Sequence, residues 1–191
     1  LAQLQAPVID PPQKHMCNSG GSDWFRASFC NAVRIGRRLY MDNQAEPLTP
    51  GTPGAVKEAC SWRASVTNLR VVEAGDTVGY DAAWTAPRRT RVATVCVGYG
   101  DGLYYPLAEA GGPLLVGGQK ARLLATCMDQ CFVDVTDIPC RAGDEVTFFG
   151  QSSGGAAMPI QELGKFMHVE GVYFYSFLSP RVARVYEGLE P

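Results

Sequence analysis

The sequence predicts a mainly β protein: an antiparallel β-barrel or sandwich that is preceded by an incomplete piece of α/β structure. Over residues 59–191, short apolar segments alternate with turn residues, which is typical of antiparallel strands. Residues 1–45 instead follow a strand–helix–strand order, which is typical of parallel sheets and α/β barrels. Residues 46–58 are rich in proline and glycine and keep neither apolar period, so they are predicted to link two domains.

The amino-terminal piece contains fewer than two complete βα units. Lys14–Cys17 is predicted to form a short strand, and Ser22 or Asp23 is placed to cap a helix through Trp24–Ala27. Asn31–Ile35 follows as a second apolar strand. So few strands cannot close a barrel or cover both faces of a sheet. This piece is therefore predicted to be the end of a larger α/β unit.

The carboxy-terminal domain is predicted to consist of short strands and one helix. The first candidate strands are Trp62–Val72, Thr90–Val97, Leu114–Val116, Lys120–Cys127, Phe132–Val135 and Glu145–Phe149. A helix is predicted to begin near Pro159 and to run to Met167, because proline suits a first helical turn. Two further strands, Val172–Leu178 and Val182–Tyr186, are predicted to close the chain.

Composition and charge exclude several classes of protein. Hydrophobic residues at 46% and charged residues at 19% are typical of an ordered globular chain. A formal charge of −2 and the lack of a basic run give no basis for nucleic-acid binding. No apolar run approaches the ~20 residues that a membrane-spanning helix needs. Neither a nucleic-acid partner nor a membrane segment is therefore expected in this chain.

The seven cysteines indicate reduced thiols and hence a cytoplasmic protein. Their number is odd, whereas the disulfide frameworks of small secreted domains usually have even numbers of cysteines. A zinc site would need paired ligand spacings that are absent here. Cys127 and Cys131, the one close pair, lie in an apolar context and are predicted to be buried thiols, so no metal is expected.

Six short stretches, taken in order along the chain, resemble the alanine racemase family. They are His15–Ser19, Ala32–Gly36, Val78–Asp81, Val97–Gly102, Cys127–Gln130 and Leu178–Val182. That family pairs an amino-terminal TIM barrel, which binds pyridoxal 5'-phosphate, with a carboxy-terminal β domain. The resemblance therefore implies that residues 1–45 are the end of the cofactor-binding barrel and that residues 59–191 are the β domain of the alanine racemase type.

The resemblance implies an isomerase that interconverts L- and D-alanine for peptidoglycan synthesis. Racemisation removes the Cα proton from one face and returns a proton to the other, so two bases suffice once the pyridoxal ring acidifies that proton. Tyr80 matches the family's catalytic tyrosine, which acts in the active site of the partner subunit of a homodimer. A phenol has a pKa of about 10, so a neighbour must stabilise its anion; the family uses a barrel histidine that this chain lacks. Judged by residue type alone, Tyr80 is instead a strand-edge tyrosine that packs its ring.

Four residues of the amino-terminal piece match the family's cofactor-binding positions. Ser19, Gly36 and the amide of Arg37 match the phosphate-binding cup. Arg34 matches the arginine that faces the pyridine nitrogen and keeps it unprotonated. The alternative for Ser19 is a helix cap, and the alternative for Arg34 is a surface position on a strand. Val33 and Ile35 flank Arg34, which predicts that it lies on the opposite face of the strand from them.

Two residues of the β domain match substrate-contacting positions of the family. Met128 matches the residue whose backbone N–H receives the substrate carboxylate, and Tyr99 matches a tyrosine that lines the entrance to the partner subunit's site. A methionine between polar neighbours is otherwise most often a packing residue. Asp101 is expected to shape its glycine-rich turn rather than to contact substrate.

The chain departs from the family at two points. Many relatives have a tyrosine at the position of Pro180, where it hydrogen-bonds the cofactor phosphate and narrows the substrate pocket. Proline can do neither, which opens the alternative of a serine or alanine racemase of a membrane-anchored type. The cofactor lysine is expected on an early barrel strand, and Lys14, Lys57, Lys120 and Lys165 do not lie in such a context.

The missing lysine predicts that this chain does not racemise alanine by itself. It is expected to be a fragment of a longer enzyme or to act beside a separate amino-terminal half. The alternative from another class is a non-catalytic β-domain interaction module. That alternative predicts that Tyr80→Phe has no effect in any reconstituted assay.

Overall fold

The computed structural model describes residues 12–40 and 58–188. The chain divides into two compact units, one ending at Ala59 and the other beginning at Cys60. Apart from Glu58, the predicted linker of residues 46–58 lies outside the described residues. The two units are described separately below.

The first unit keeps the predicted strand–helix–strand order in a shortened form. A single parallel bridge joins His15 to Ala32, so the predicted strands are parallel and contribute one bridged residue each. Helix α1 spans Ser19–Trp24. It begins where the side chain of Asn18 caps it, accepting a hydrogen bond from the Gly21 amide over 2.9 Å.

The predicted helix through Trp24–Ala27, with a cap at Ser22 or Asp23, is wrong in its position. Helix α1 has already ended at Trp24, and Arg26–Ser28 forms only a short 3-10 turn. Ser22 lies inside α1, where its hydroxyl donates to the carbonyl oxygen of Ser19 over 2.7 Å. The true cap was missed because Asn18 is as good a capping residue as Ser22 or Asp23 and stands earlier in the chain.

The second unit consists of a seven-stranded antiparallel sheet and a separate small hairpin. The strands of the sheet are β1 (Trp62–Val72), β4 (Thr90–Val95), β5 (Pro113–Val116), β6 (Gln119–Thr126), β7 (Cys131–Asp134), β8 (Glu145–Gln151) and β9 (Ala157–Met158). The hairpin is formed by β2 (Thr77–Val78) and β3 (Trp84–Thr85). The six strands predicted first are thus confirmed, whereas the hairpin and β9 were missed because each strand is only two residues long.

Strand β1 closes the sheet into a barrel. The strand order is β1-β4-β7-β6-β5-β8-β9, and β1 also pairs with β8. Its first part, Trp62–Ser65, pairs with β8, and its second part, Val66–Val72, pairs with β4. A closed sheet leaves no open edge among the six strands of the ring. The sequence did not distinguish a barrel from a sandwich, and this pairing shows that the sheet is a barrel.

The barrel interior is filled by aliphatic and aromatic side chains. The larger side chains with almost no exposed surface include Val66, Val92, Leu114, Leu123, Val133 and Phe149. Full burial of such a side chain stabilises the fold by roughly 1.5–3 kcal/mol. Burial of these side chains therefore explains why the short predicted strands hold together.

Three short helices accompany the barrel: α2 (Tyr105–Glu109), α3 (Ile160–Met167) and α4 (Tyr173–Phe177). Helix α3 confirms the prediction, with Pro159 as its capping residue rather than in its first turn. An ion pair of 2.5 Å between Lys120 and Glu162 joins α3 to β6. Helix α4 lies where a strand was predicted.

The two predicted closing strands are wrong. Val172–Leu178 is rich in aromatic residues, which favour strands, yet Tyr173–Phe177 is helical. A helical turn places Phe174 and Phe177 on one side, and both rings pack against Tyr104, at centroid distances of 5.8 and 4.8 Å. Val182–Tyr186 forms no strand. Its residues favour a strand by type, but side chains such as Val185, which is 85% exposed, do not pack on a neighbouring strand.

Within residues 12–40 and 58–188, no helix is both long enough and apolar enough to span a membrane. The same residues contain no group of three or more His, Cys, Asp or Glu side chains that could hold a metal ion. All seven cysteines lie in these ranges, and none of them forms a disulfide.

Candidate active site

Tyr80 lies on a tight turn between β2 and β3. Its side chain is 63% exposed, so it is not a packing residue within this unit. Asp81 and Ala82 follow it in the left-handed region, at φ of 52° and 55°. That conformation costs roughly 1–2 kcal/mol per non-glycine residue. The turn that exposes the Tyr80 phenol is therefore locally strained.

The turn that carries Tyr80 is fixed to the end of β6. Gly79 has a φ of +88°, and a Cβ atom on it would lie 2.8 Å from the Cβ of Ala125. Val78 and Ala125 belong to one buried hydrophobic cluster, which also contains Cys127. The apolar core thus links the Tyr80 turn to the strand that leads into Met128.

The turn containing Tyr99 is bound through its backbone to the loop that follows β6. The Tyr99 amide donates to the carbonyl oxygen of Cys127 over 3.0 Å, and the Gly100 amide donates to the carbonyl oxygen of Met128 over 2.8 Å. Gly98 makes this approach possible, because a Cβ atom there would lie 2.2 Å from the Cys127 oxygen. Tyr99 and Met128, predicted as two separate substrate-contacting residues, are therefore parts of one local structure.

These hydrogen bonds determine the direction of the Met128 N–H. This group belongs to the peptide whose carbonyl oxygen, that of Cys127, accepts the hydrogen bond from Tyr99. In a trans peptide the N–H and C=O point in opposite directions, so the Met128 N–H points away from the Tyr99 turn. No described residue accepts a hydrogen bond from it. The Met128 side chain is 53% exposed and so is not a core residue of this unit.

The segment that carries Pro180 lies beside the same turn. The Ser179 amide donates to the carbonyl oxygen of Asp101 over 3.0 Å. A Cβ atom on Gly102 would lie 2.2 Å from the carbonyl oxygen of Phe177, so the turn and the end of α4 are in close backbone contact. Pro180 itself is exposed.

In the first unit, a cavity of about 490 Å³ is lined by Asn18, Ser19, Gly20, Arg34, Ile35, Gly36 and Arg37. The hydroxyl of Ser19 accepts a hydrogen bond from the Gly36 amide over 3.0 Å, which joins the two halves of the cavity wall. A Cβ atom on Gly20 would lie 3.8 Å from a guanidinium nitrogen of Arg37. Four residues that the sequence predicted as cofactor-binding, Ser19, Arg34, Gly36 and Arg37, thus line one cavity.

Arg34 was predicted to lie on the opposite face of its strand from Val33 and Ile35, but exposure hardly distinguishes the three residues. Arg34 is exposed, and Val33 and Ile35 are also 37% and 38% exposed. All three side chains are exposed because this segment forms a single bridge rather than a strand that is covered on both sides. The backbone amide of Arg34 donates to the carbonyl oxygen of Cys17 over 2.9 Å and fixes its position in the cavity wall.

Two buried thiols of the β domain, those of Cys131 and Cys140, are unsuited to nucleophilic chemistry. Burial, with additional repulsion from Cys96, Cys127 and Asp101, strongly raises the pKa of the Cys131 thiol. Burial likewise raises the pKa of Cys140, and the Asp144 carboxylate adds to this effect. Both groups are therefore protonated at neutral pH, and the reactive thiolate form is scarce.

The sequence did not predict the contact that joins the Tyr99 turn to the carboxy-terminal segment. Arg181 pairs with Asp101, with 3.4 Å between its Nε and a carboxylate oxygen. The sequence offered a signal for this contact only in the glycines around Asp101, since glycine often marks a close approach of two backbones. The partner segment could not be inferred, because it lies far along the chain.

The fold and the site define a class: a closed antiparallel β domain, with a tyrosine-bearing loop cluster, that follows a piece of α/β structure. Residues 59–186 match the family model for the alanine racemase C-terminal domain. This chain belongs to the alanine racemase family.

Relatives and solved structures agree with this assignment. An alanine racemase from Desulforamulus reducens is 32% identical over 190 residues, which cover 98% of this chain and 50% of the relative. The crystal structure of the biosynthetic alanine racemase from Pseudomonas aeruginosa matches with a TM-score of 0.77 and 34% identity, covering 94% of this chain and 49% of that one. An alanine racemase from Bartonella henselae, crystallised with covalently bound pyridoxal phosphate, matches with a TM-score of 0.73 and 26% identity, covering 89% of this chain and 45% of that one. The chain thus spans about half the length of the curated relatives it matches.

Proposed function

We propose that this chain is part of a cytoplasmic, pyridoxal-phosphate-dependent alanine racemase, which interconverts L- and D-alanine for peptidoglycan synthesis. The observation that carries the proposal is the pairing of the Tyr99 turn with the Cys127–Met128 loop, which leaves the Met128 N–H pointing outward. A second observation supports it: the exposed Tyr80 is tied to the same strand end through Gly79 and Ala125.

The residues that line the cavity of the first unit fit the phosphate of the cofactor. The Ser19 hydroxyl accepts from the Gly36 amide, and its own hydrogen is then available to donate to a phosphate oxygen. Gly20 lets the backbone approach, and the Arg37 guanidinium beside it adds positive charge. A hydroxyl, a glycine backbone and a cation are the groups that anion sites in proteins commonly use. Ser19 and Arg37 would therefore hold the phosphate, and the Gly36 amide would orient the Ser19 hydroxyl toward it.

Arg34 would face the pyridine nitrogen of the bound cofactor. A guanidinium at that position disfavours protonation of the nitrogen, because two positive charges would lie together. When bound, the cofactor acidifies the Cα proton of the amino acid. Arg34 would limit that effect and so favour return of the proton over side reactions.

Tyr80 would remove or return the Cα proton on one face of the substrate. Its exposure at the tip of a turn suits a group that acts in the site of a partner subunit, and we therefore propose a homodimer. The Met128 N–H would bind the substrate carboxylate, which holds the Cα proton in reach of the base. Tyr99 would line the entrance to the site.

None of the lysines in the sequence matches the cofactor lysine of the family, which would act as the base on the other face. The isolated 191-residue chain would then be inactive and would need a matched amino-terminal half. The first unit exposes Met16, Trp24, Phe25 and Leu39, each at least 60% exposed, as expected if further barrel elements pack on it.

Serine is a second candidate substrate. Pro180 is exposed and follows Ser179, whose amide donates to the carbonyl oxygen of Asp101, so it lies beside the Tyr99 turn. Its side chain has no hydroxyl that could form a hydrogen bond. A pocket without a tyrosine at this position has room for a side chain larger than methyl. The comparison of turnover numbers for serine and alanine decides between the two substrates.

The test is turnover by the complete enzyme with pyridoxal phosphate, followed by chiral chromatography of alanine and of serine. Equilibration of L- and D-alanine is the expected result. Faster turnover of serine would favour the second candidate. Failure to racemise either amino acid would contradict the proposal and favour a non-catalytic β-domain module.

A further inference from the structure

Asp101 joins three segments of the β domain through separate atoms. One carboxylate oxygen accepts a hydrogen bond from the Gly98 amide over 2.9 Å. The other lies 3.4 Å from the Nε of Arg181. Its backbone carbonyl accepts from the Ser179 amide over 3.0 Å. A single residue thus fixes the start of the Tyr99 turn and ties it to the carboxy-terminal segment.

Asp101 has the most shielded acidic side chain among the ion pairs that the structure describes in this domain. Its side chain is 13% exposed, whereas the acidic side chains of the other pairs are between 29% and 84% exposed. Exposed pairs contribute little, because water and salt screen them. A shielded carboxylate that is also hydrogen-bonded to the backbone holds its position more firmly.

The arginine of the pair lies directly against the substrate-contacting loop. A Cβ atom on Gly100 would lie 2.7 Å from an Nη of Arg181, 2.9 Å from the Met128 carbonyl oxygen and 3.1 Å from the Met128 Cγ. The guanidinium, the turn and Met128 are therefore packed together without room for another carbon atom. Arg181 holds Asp101 by its ion pair, and a displacement of Asp101 would move the turn through the hydrogen bond from the Gly98 amide. That turn holds the peptide that carries the Met128 N–H.

We propose that Asp101 and Arg181 are positioning residues for the substrate carboxylate. Their ion pair holds the Gly98–Gly102 turn so that the amides of Tyr99 and Gly100 fix the two carbonyls of the Cys127–Met128 loop. The Met128 N–H then keeps the direction needed to donate to a carboxylate. The inference rests on the proposed function, since it assigns to this loop the binding of an amino-acid carboxylate.

The test uses the complete holoenzyme and propionate, a probe with the carboxylate but without the amine. Asp101→Asn keeps the size of the side chain and removes the charge that faces Arg181, and Arg181→Gln removes the other charge. Each variant is expected to raise the Ki for propionate and the KM for alanine by about five- to tenfold, with kcat changed less than about twofold. Combining the two substitutions is expected to add nothing further, because each one already breaks the pair. Arg181→Lys is expected to recover part of the lost propionate binding.

Arg89→Gln is the matched control, because Arg89 pairs with Glu73 over 3.1 Å and both side chains are well exposed. An unchanged Ki for propionate in the Asp101 and Arg181 variants of an active enzyme would overturn this inference alone. A loss of kcat and thermal stability at constant KM would also overturn it, by showing a merely structural role. An inactive wild-type holoenzyme would overturn the proposed function, and this inference with it.

Discussion

The Tyr99 amide donates a hydrogen bond to the carbonyl oxygen of Cys127, with 3.0 Å between the two atoms. This bond joins a glycine-rich turn to the loop after β6 and thereby orients the next N–H group, that of Met128. The turn that carries the exposed Tyr80 packs on the end of the same strand, where Gly79 lies against Ala125. The turns that carry Tyr80 and Tyr99 are thus both held against the end of β6 and the loop that follows it, and the predictions below follow from that.

Tyr80→Phe is expected to lower kcat of the complete enzyme by roughly 10²–10⁴-fold, because it removes a proposed proton-transfer group. Thermal stability should hardly change, since the side chain is 63% exposed. Steady-state kinetics and a thermal melt check both points. Tyr186→Phe is the control, because Tyr186 is 73% exposed and has no proposed role. Equal activity of the two variants would favour the non-catalytic interaction module.

Ser19→Ala is expected to weaken binding of pyridoxal phosphate. The variant loses the hydroxyl that accepts from the Gly36 amide over 3.0 Å and that would donate to the phosphate. Hydrogen bonds to charged groups contribute about 1.5–3 kcal/mol, which corresponds to a rise in Kd of roughly 10- to 150-fold. Titration of the complete apoenzyme, followed by cofactor absorbance, measures the Kd. Ser28→Ala serves as the control, and an identical Kd in both variants would place the phosphate elsewhere.

Gly98→Ala is expected to separate the Tyr99 turn from the Cys127–Met128 loop. The new Cβ atom would lie 2.2 Å from the Cys127 oxygen, and a backbone atom cannot move aside as a side chain can. We expect the free energy of unfolding to fall by about 1–3 kcal/mol, as in other overpacked sites, and kcat/KM to fall with it. Urea denaturation and kinetics test this.

Gly154→Ala is the matched control for that substitution. A Cβ atom on Gly154 meets nothing nearer than the Ser152 Oγ at 3.9 Å, an ordinary contact. Wild-type stability in Gly98→Ala would show that the two loops are not held as closely as the structure indicates.

Glu145 is expected to make the stability of the β domain depend on pH. Burial favours its neutral form, but hydrogen bonds from Ser153 and Thr147 and the charge of Arg63 outweigh burial and hold the pKa below its usual range. The hydroxyl of Ser153 donates to the carboxylate over 2.6 Å. A carboxyl whose pKa is depressed on folding stabilises the fold above its unfolded pKa of about 4.3, and this contribution is lost as the pH falls through the folded pKa.

Glu145→Gln is therefore expected to be less stable than the wild type at neutral pH and to approach it below about pH 4. Thermal melts across this pH range provide the measurement. Glu109→Gln, at an exposed position, is the control and should follow the wild type throughout. A stability difference between Glu145→Gln and wild type that is the same at all pH values would contradict the role of this carboxylate.

The sequence predicted the central strands well because their signal is local. Trp62–Val72 and Glu145–Gln151 are apolar segments between clusters of turn residues, and both signals can be read within a few residues of the strand. The segment Tyr173–Phe177 was assigned wrongly because its aromatic residues favour a strand, whereas contacts with the distant Tyr104 select a helix. Closure of the barrel through β1 also depends on distant pairing, so the sequence could not decide it.

The candidate site was predictable as a set of residues but not as an arrangement. Motif resemblance pointed to Tyr99 and Met128 separately, and only the structure shows that their backbones are hydrogen-bonded neighbours. Asp101 was expected to shape its turn, and its bond to the Gly98 amide confirms this. Its contact with Arg181 joins two distant segments, for which neither segment carries a local signal.

The most direct test of the central claim is exchange of the α-proton of L-alanine in D2O, with added pyridoxal phosphate, followed by proton NMR. The 191-residue chain is measured alone and then after association with a matched amino-terminal half, with gel filtration to verify the complex. The account predicts exchange and formation of D-alanine in the complex and none with the chain alone. Exchange by the chain alone would contradict the need for a lysine from the other half. A stable complex that exchanges no proton would contradict the assignment of this chain to a working racemase.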